Sequence, residues 1–210
     1  EAVEKFTLDK PALVCRWRMS NKKVPMLNRH IRALSERLVQ GEPLTHNMLS
    51  WAKQHVEWSL AEGDYTAHDG VLMLVIDING NAAMTVGEYE PLADTSAKAL
   101  RARSAEARSE ADETGVAPEL LAAVNNGELA FVAPADECLC GTATLIEQLA
   151  QTKGIPVTRV DIPAQLKGAL FLVSDEHGVV PATETDAAEA DAATVAFFAD
   201  GYEKLRARRS

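Results

Sequence analysis

Residues 137–156 read ECLCGTATLIEQLAQTKGIP: a polar loop runs through Gly141, Thr142 and Thr144 into an apolar-periodic segment that Gly154 closes. The first turn of a helix leaves backbone N–H groups without intrahelical partners, and hydroxyls beside them complete an anion seat. The same residues would also serve an ordinary helix entry, so the stretch poses a choice between a phosphate cradle and a plain start. The spacing predicts a helix over Thr144–Lys153 ended by Gly154. Short β-type runs flank it, Glu128 to Val132 before and Val157 to Val160 and Ala169 to Val173 after. That order gives an α+β or mixed α/β class.

Further out, Asn125-Asn126-Gly127 marks a turn behind a short strand near Leu120, and Lys98 to Thr114 has helical charge spacing closed by Gly115. Pro91 to Ser96 reads as a linker, which divides the chain into a smaller domain over 1–92 and a larger one over 93–210. In the first part, VLMLVIDI and NAAMTVGEY meet across Asn79-Gly80, a dipeptide that favours a two-residue type I′ hairpin. Thr45 is the expected N-cap of a helix carrying Met48, Leu49, Ala52, Val56 and Leu60, ended by Gly63. An earlier helix is expected from Asn28 through Ile31, Leu34, Leu38 and Val39 to Gly41. Ala12 to Met19 and Val24 to Leu27 are expected to pair as a hairpin about Ser20-Asn21-Lys22-Lys23. At the far end, a turn at His177-Gly178 precedes Val179-Val180-Pro181. The acidic run Glu184 to Asp191 reads as a solvated loop, and a last helix passes through Phe197, Phe198, Tyr202 and Leu205.

A chain of 210 residues that is 47% hydrophobic can bury a sizeable core. The net charge of −10 is dispersed without a basic face, so nucleic acid is not an expected partner. Three cysteines make no disulfide framework, and Cys138-Leu139-Cys140 lacks the second Cys/His pair that zinc needs, which points to a reducing cytoplasm. The longest apolar run, Val71 to Ile76, is far too short for a membrane span, and no charged-then-apolar leader is recognised. A sequence opening at Glu1 is expected to lack part of its natural N-terminus. His30, His46, His55 and His68 show no metal-ligand spacing and read as surface or core-edge residues; Trp51 and Trp58 read as core or interface aromatics. Ser174-Asp175-Glu176-His177 carries the residue names of a hydrolase triad, yet neighbours on one turn cannot adopt its geometry, so a polar turn is expected.

Three segments in the same order resemble the class IV aminotransferases, the fold-type IV pyridoxal-phosphate enzymes that include branched-chain and D-amino-acid aminotransferases and aminodeoxychorismate lyase. They are VCRWRMSNKKVPMLNRHIRALSERLV (14–39), CLCGTAT with the following LIEQLAQTKGIPV, and LFLVSDEHGVVPATETD (170–186). The second is similar to the family's "LPGITR", helix, "GI-V" run, and the third to its "VFLTSSLRGVVPVTEID".

The resemblance implies a two-domain α+β architecture, pyridoxal 5′-phosphate as cofactor, an amine or 2-oxo-acid substrate, and a homodimer. It places the cofactor phosphate on Gly141, Thr142 and Thr144 with Ser174 nearby, and the Schiff-base lysine at Lys98, where the ordinary alternative is a solvated helix lysine. Such a site needs N–H groups and hydroxyls for the phosphate, a lysine amine for the aldehyde and a carboxylate for the pyridine nitrogen. Several parts depart from the family pattern. Ala33 stands at the usual phosphate arginine, leaving Arg29 or Arg32 as substitutes; counting from Gly115 the lysine spacing falls nearer Ala97. LLAAVNNGELAFV passes straight over the segment that carries the pyridine-pairing glutamate. The family reading is therefore of an aminotransferase or a lyase, and the alternative is a cofactor-free homolog that keeps the fold as a binding or dimeric scaffold.

Overall fold

The computed structural model describes residues 7–62, 69–184 and 186–208. Strand β1 (Pro11–Met19) alternates, burying Leu13, Cys15, Trp17 and Met19. Its partner is β4 (Gly70–Asp77), which in turn pairs with β5 (Ala82–Gly87) in an antiparallel three-stranded sheet. The hairpin expected with Val24 to Leu27 does not form. Asn21 and Lys22 turn the chain at φ of 52° and 58°, Ser20 and Lys23 make an isolated bridge, and Pro25 has no N–H to continue a ladder.

Helix α1 (Leu27–Leu34) begins there and stops earlier than its apolar spacing suggests. Leu38 and Val39 instead form β2 (Leu38–Val39), paired with β3 (Glu42–Pro43) across Gln40-Gly41, both at positive φ. Helix α2 (His46–Glu62) starts as expected, with the Thr45 hydroxyl accepting the Met48 N–H at 3.2 Å; its expected stop at Gly63, and His68, lie outside the described residues.

The β4–β5 hairpin turns through three residues rather than two. Gly80 donates to the Asp77 carbonyl at 3.0 Å and alone carries the positive φ (83°), the form of a type I turn with a left-handed glycine. The Asp77 carboxylate holds this longer loop by accepting the N–H groups of Asn79 and Asn81, both at 2.9 Å. The type I′ pattern appears elsewhere, at Asn126 (φ 50°) and Gly127 (φ 78°).

Helix α3 (Ala97–Thr114) is capped by the Ser96 hydroxyl and closed by left-handed Gly115. A five-stranded sheet follows, built from β6 (Glu119–Asn125), β7 (Glu128–Val132), β8 (Val157–Val160), β9 (Ala169–Ser174) and β10 (Gly178–Pro181) in the order β10-β9-β6-β7-β8. Only β7 and β8 run parallel, joined by α4 (Gly141–Thr152). One face of this sheet (Leu120, Ala122, Phe131, Phe171) packs on Ala143 and Ile146 of α4 and on Val195 and Phe198 of α5 (Glu189–Arg206). The other face (Leu121, Ala123, Leu172) receives Leu100 of α3 and Leu166. The first turns of α3 and the whole of α4 therefore lie on opposite sides of the sheet.

The acidic run is not all solvated loop. Its end is already α5, and Asp191, 5% exposed, accepts the N–H groups of Asn126 and Gly127 at 3.0 Å each, tying the last helix to the type I′ turn. Trp51 and Trp58 stand out from α2 at 37% and 62% exposure, so they are not core residues. Among the described residues no helix is long and apolar enough to cross a membrane.

Candidate functional site

Helix α4 begins at Gly141, a turn earlier than its apolar spacing predicts, so Thr142 lies inside the first turn and its N–H points out of the helix end. That N–H meets a partner from this chain. Asp175, at the end of β9, places Oδ1 2.9 Å from the Thr142 N–H and 2.8 Å from its hydroxyl. The other carboxylate oxygen lies 3.5 Å from Nδ1 of His30, whose ring stacks on Trp17 with centroids 5.2 Å apart. His30 is 2% exposed, so it is a core residue and not a surface one. Burial alone would push the Asp175 carboxyl up, but His30 and the two Thr142 donors outweigh it and hold it below the ordinary carboxylate range. A carboxylate thus already sits where an anion would sit at this helix start.

Gly141 is required by the same packing, because a Cβ there would stand 2.5 Å from His30 Nδ1. Cys140, just before it, is buried; burial first and the adjacent Asp175 second push its thiol well above its usual value. The thiol behaves as a small core group rather than a nucleophile.

The other expected residues gather at the same place, apart from Lys98. Arg29 donates Nη1 to the Thr144 hydroxyl at 3.2 Å and Nη2 to Gln148, so α1 is fastened to the outer side of α4's start. Thr144 in turn donates to the Gly141 carbonyl at 2.6 Å. The Ser174 hydroxyl accepts the N–H groups of Glu176 and His177 at 3.2 and 3.1 Å, closing its own turn. Lys98 is exposed in the first turn of α3, on the far side of the sheet from α4.

The Ser174–His177 turn does more than reverse the chain, because it joins the two sheets. The Arg18 N–H of β1 donates to the Asp175 carbonyl at 3.0 Å. His177 lies between the Tyr89 hydroxyl (3.1 Å) and Arg103 (3.3 Å), and Arg103 also bonds Glu119 at 2.6 Å. Arg18 stacks over the Tyr89 ring, 3.5 Å from its centroid. Burial first, then the Arg103 and Arg18 charges, lower the His177 pKa to about 4, so this ring is a neutral link at physiological pH.

Asp175 and His30 escaped the sequence reading. A signal for Asp175 was present: it stands where the family run VFLTSSLRGVVP has a second serine, the one place in that segment where an acid replaces a hydroxyl beside the phosphate loop. His30 had no signal of its own, standing only among the scattered histidines read as surface or core-edge residues.

No family model matches this chain, and no curated protein matches it. Solved structures do. A fold IV transaminase from Curtobacterium pusillum superposes with a TM-score of 0.63 at 14% identity, over 100% of this chain and 93% of that one. A Mycobacterium tuberculosis protein described as a hypothetical aminotransferase, in its pyridoxal-phosphate-bound form, gives 0.59 at 10% identity, over 98% and 95%. A structure assigned as 4-amino-4-deoxychorismate lyase gives 0.62 at 16%, over 92% and 95%. At these identities the likeness establishes the fold: mixed α+β, of the fold-type IV transaminase kind, along nearly the whole chain.

Proposed function

We propose that this chain uses the fold-type IV architecture as a binding scaffold and does not operate through a pyridoxal-phosphate Schiff base. The observation that carries the reading is Asp175, a buried carboxylate seated on the first turn of α4 by two Thr142 hydrogen bonds. A phosphate placed there would meet a fixed negative charge of its own sign in a site shielded from water, where like charges repel more strongly than at the surface. The residues present therefore do not fit the cofactor as the fold now holds them. Ala33 at the arginine position, the missing pyridine-pairing glutamate and the exposed Lys98 point the same way. In this reading residues 1–92 and 93–210 are the two domains, locked together through the Asp175–His177 turn, and the protein is a cytoplasmic homodimer.

The competing reading is a pyridoxal-phosphate-dependent aminotransferase or aminodeoxychorismate-lyase-like enzyme with Lys98 as Schiff base. It is favoured by the convergence of Arg29, Gly141, Thr142, Thr144 and Ser174 on one helix start. An absorbance scan after adding pyridoxal phosphate, repeated after borohydride reduction and with Lys98→Ala, separates the two. The scaffold reading expects no visible-wavelength band. A band fixed covalently to Lys98 by reduction would overturn it and establish the enzyme. Sedimentation of the purified chain tests the dimer.

A further inference from the structure

A cavity of about 470 Å³ lies between the turn after β1 and the second half of α2, with no residue of α4 among its walls. Its floor is apolar: the buried side chains of Val24, Val56 and Leu60, together with half-buried Leu27, belong to the core under the three-stranded sheet. Lys22 and Lys23 stand on its wall. We propose that this cavity binds a free medium-chain aliphatic monocarboxylate, with the hydrocarbon tail on the apolar floor and the carboxylate at Lys22. The inference goes beyond the reading of α4's start and holds whether or not that seat takes a cofactor.

The backbone holds Lys22 in an unusual way. Ser20 and Lys23 exchange backbone hydrogen bonds at 2.8 and 3.0 Å, and Asn21 and Lys22 between them have φ of 52° and 58°. Two left-handed central residues make a type I′ turn, in which glycine is the usual second residue. A lysine there is strained where glycine would not be, and strain of that kind gathers at ligand clamps. The Asn21 N–H donates to the Asp69 carboxylate at 3.2 Å, which ties the turn to the chain entering β4 and fixes where Lys22 is presented. Lys22 is half-buried and forms no ion pair among the described residues. A cation held beside an apolar cavity without a counter-charge is completed by an anionic head on an apolar body.

The lining narrows the class. The floor carries no hydroxyl, amide or aromatic ring, so it has nothing to recognise a polar or planar body, and its branched side chains match an aliphatic chain. Small-molecule pockets run to roughly 300–1,000 Å³, and a volume toward the lower end suits one chain rather than the two of a membrane lipid. Glu57, the one carboxylate of the lining, also borders the neighbouring groove toward α4, so it stands at the boundary between the two spaces. Two lysines against one carboxylate give the wall a positive formal charge on a chain whose net charge is −10. That sign selects a carboxylate head over an ammonium one.

The test is calorimetric titration of the full chain with butanoate, hexanoate and octanoate, and with octanol and octylamine as head-group controls. Two variants are titrated alongside, with thermal midpoints recorded to confirm folding. Lys22→Asn removes the charge but keeps a residue that tolerates the left-handed turn. Ala61→Phe, at an exposed position on the wall, fills the cavity from its mouth. The expected result is saturable binding that tightens about fourfold per added methylene, with octanoate bound more tightly than octanol or octylamine. Octanoate binding should weaken at least fivefold in Lys22→Asn and be lost in Ala61→Phe. Absence of saturable octanoate binding, an affinity that does not rise with chain length, or binding that Ala61→Phe leaves unchanged would overturn the site. Octanol or octylamine bound as tightly as octanoate, or full affinity in Lys22→Asn, would overturn the carboxylate assignment.

Discussion

Oδ1 of Asp175 accepts both donors of Thr142, the backbone N–H at 2.9 Å and the hydroxyl at 2.8 Å, so one carboxylate oxygen closes the start of α4 from within the chain. Hydrogen bonds to a charged group contribute about 1.5–3 kcal/mol net each, more than neutral ones. Thr142→Val keeps the shape of the side chain and removes only the hydroxyl donor. Its expected cost is about 2 kcal/mol in urea unfolding, with fold and m-value unchanged.

Asp175→Ser is expected to do two things at once. It removes the anionic partner of His30 and of the helix end, which should cost about 3–5 kcal/mol as a broken buried pair. It also opens the seat at the start of α4, so inorganic phosphate should raise the thermal midpoint of Asp175→Ser more than that of the wild-type chain. No greater phosphate-dependent rise in Asp175→Ser than in the wild-type chain would show that Asp175 does not stand in for an anion.

Acid sensitivity should appear in two separate windows. His177, with its pKa lowered to about 4, is neutral in the fold but takes up a proton more readily when unfolded. Its contribution is complete above the unfolded value near 6.5 and is lost as pH falls toward 4. Asp175 has its carboxyl held below the ordinary range, so its contribution persists to lower pH and is lost only as pH falls below about 4. Stability measured by denaturant between pH 7 and pH 3 should therefore fall in two steps. His177→Gln should remove the upper step and leave the lower one; a single step unchanged by His177→Gln would contradict the assignment.

What the sequence disclosed follows from how local each feature is. The cap at Thr45, the stop at Gly115 and the turn at Asn126-Gly127 are short-range choices of backbone and are legible in the residues, whereas Ser96, read only as the end of a linker, proves to be the cap of α3. Leu38 and Val39 misled because two apolar residues at helical spacing also fit a two-residue strand, and the left-handed Gln40-Gly41 pair decides between them. Asn79-Gly80 misled because the Asp77 side chain, which no dipeptide rule includes, stabilises a longer turn. At the site, the hydroxyls and glycine of α4's start could be read directly. Their occupant could not, since Asp175 lies 33 residues away from Thr142 and only the fold brings them together.

Gly141 gives the most local test of how tightly the helix start is closed. A Cβ would lie 2.5 Å from His30 Nδ1, closer than side-chain atoms tolerate, and 3.1 Å from the His30 backbone nitrogen, a tight contact that a shift of a few tenths of an ångström relieves. His30 cannot retreat freely, because its ring lies against Trp17 with the planes only 9° apart and its Nδ1 faces Asp175. Overpacking of this kind costs about 1–3 kcal/mol when neighbours shift to relieve it. Gly141→Ala should therefore be destabilised by about that amount and should lose the Trp17 fluorescence environment of the wild-type chain, whereas Gly154→Ala, with open space around its Cβ, should pay only for its φ of 70° and leave Trp17 fluorescence unchanged. Equal fluorescence changes in the two variants would mean that His30 yields to the new methyl and that the seat is looser than its contacts indicate.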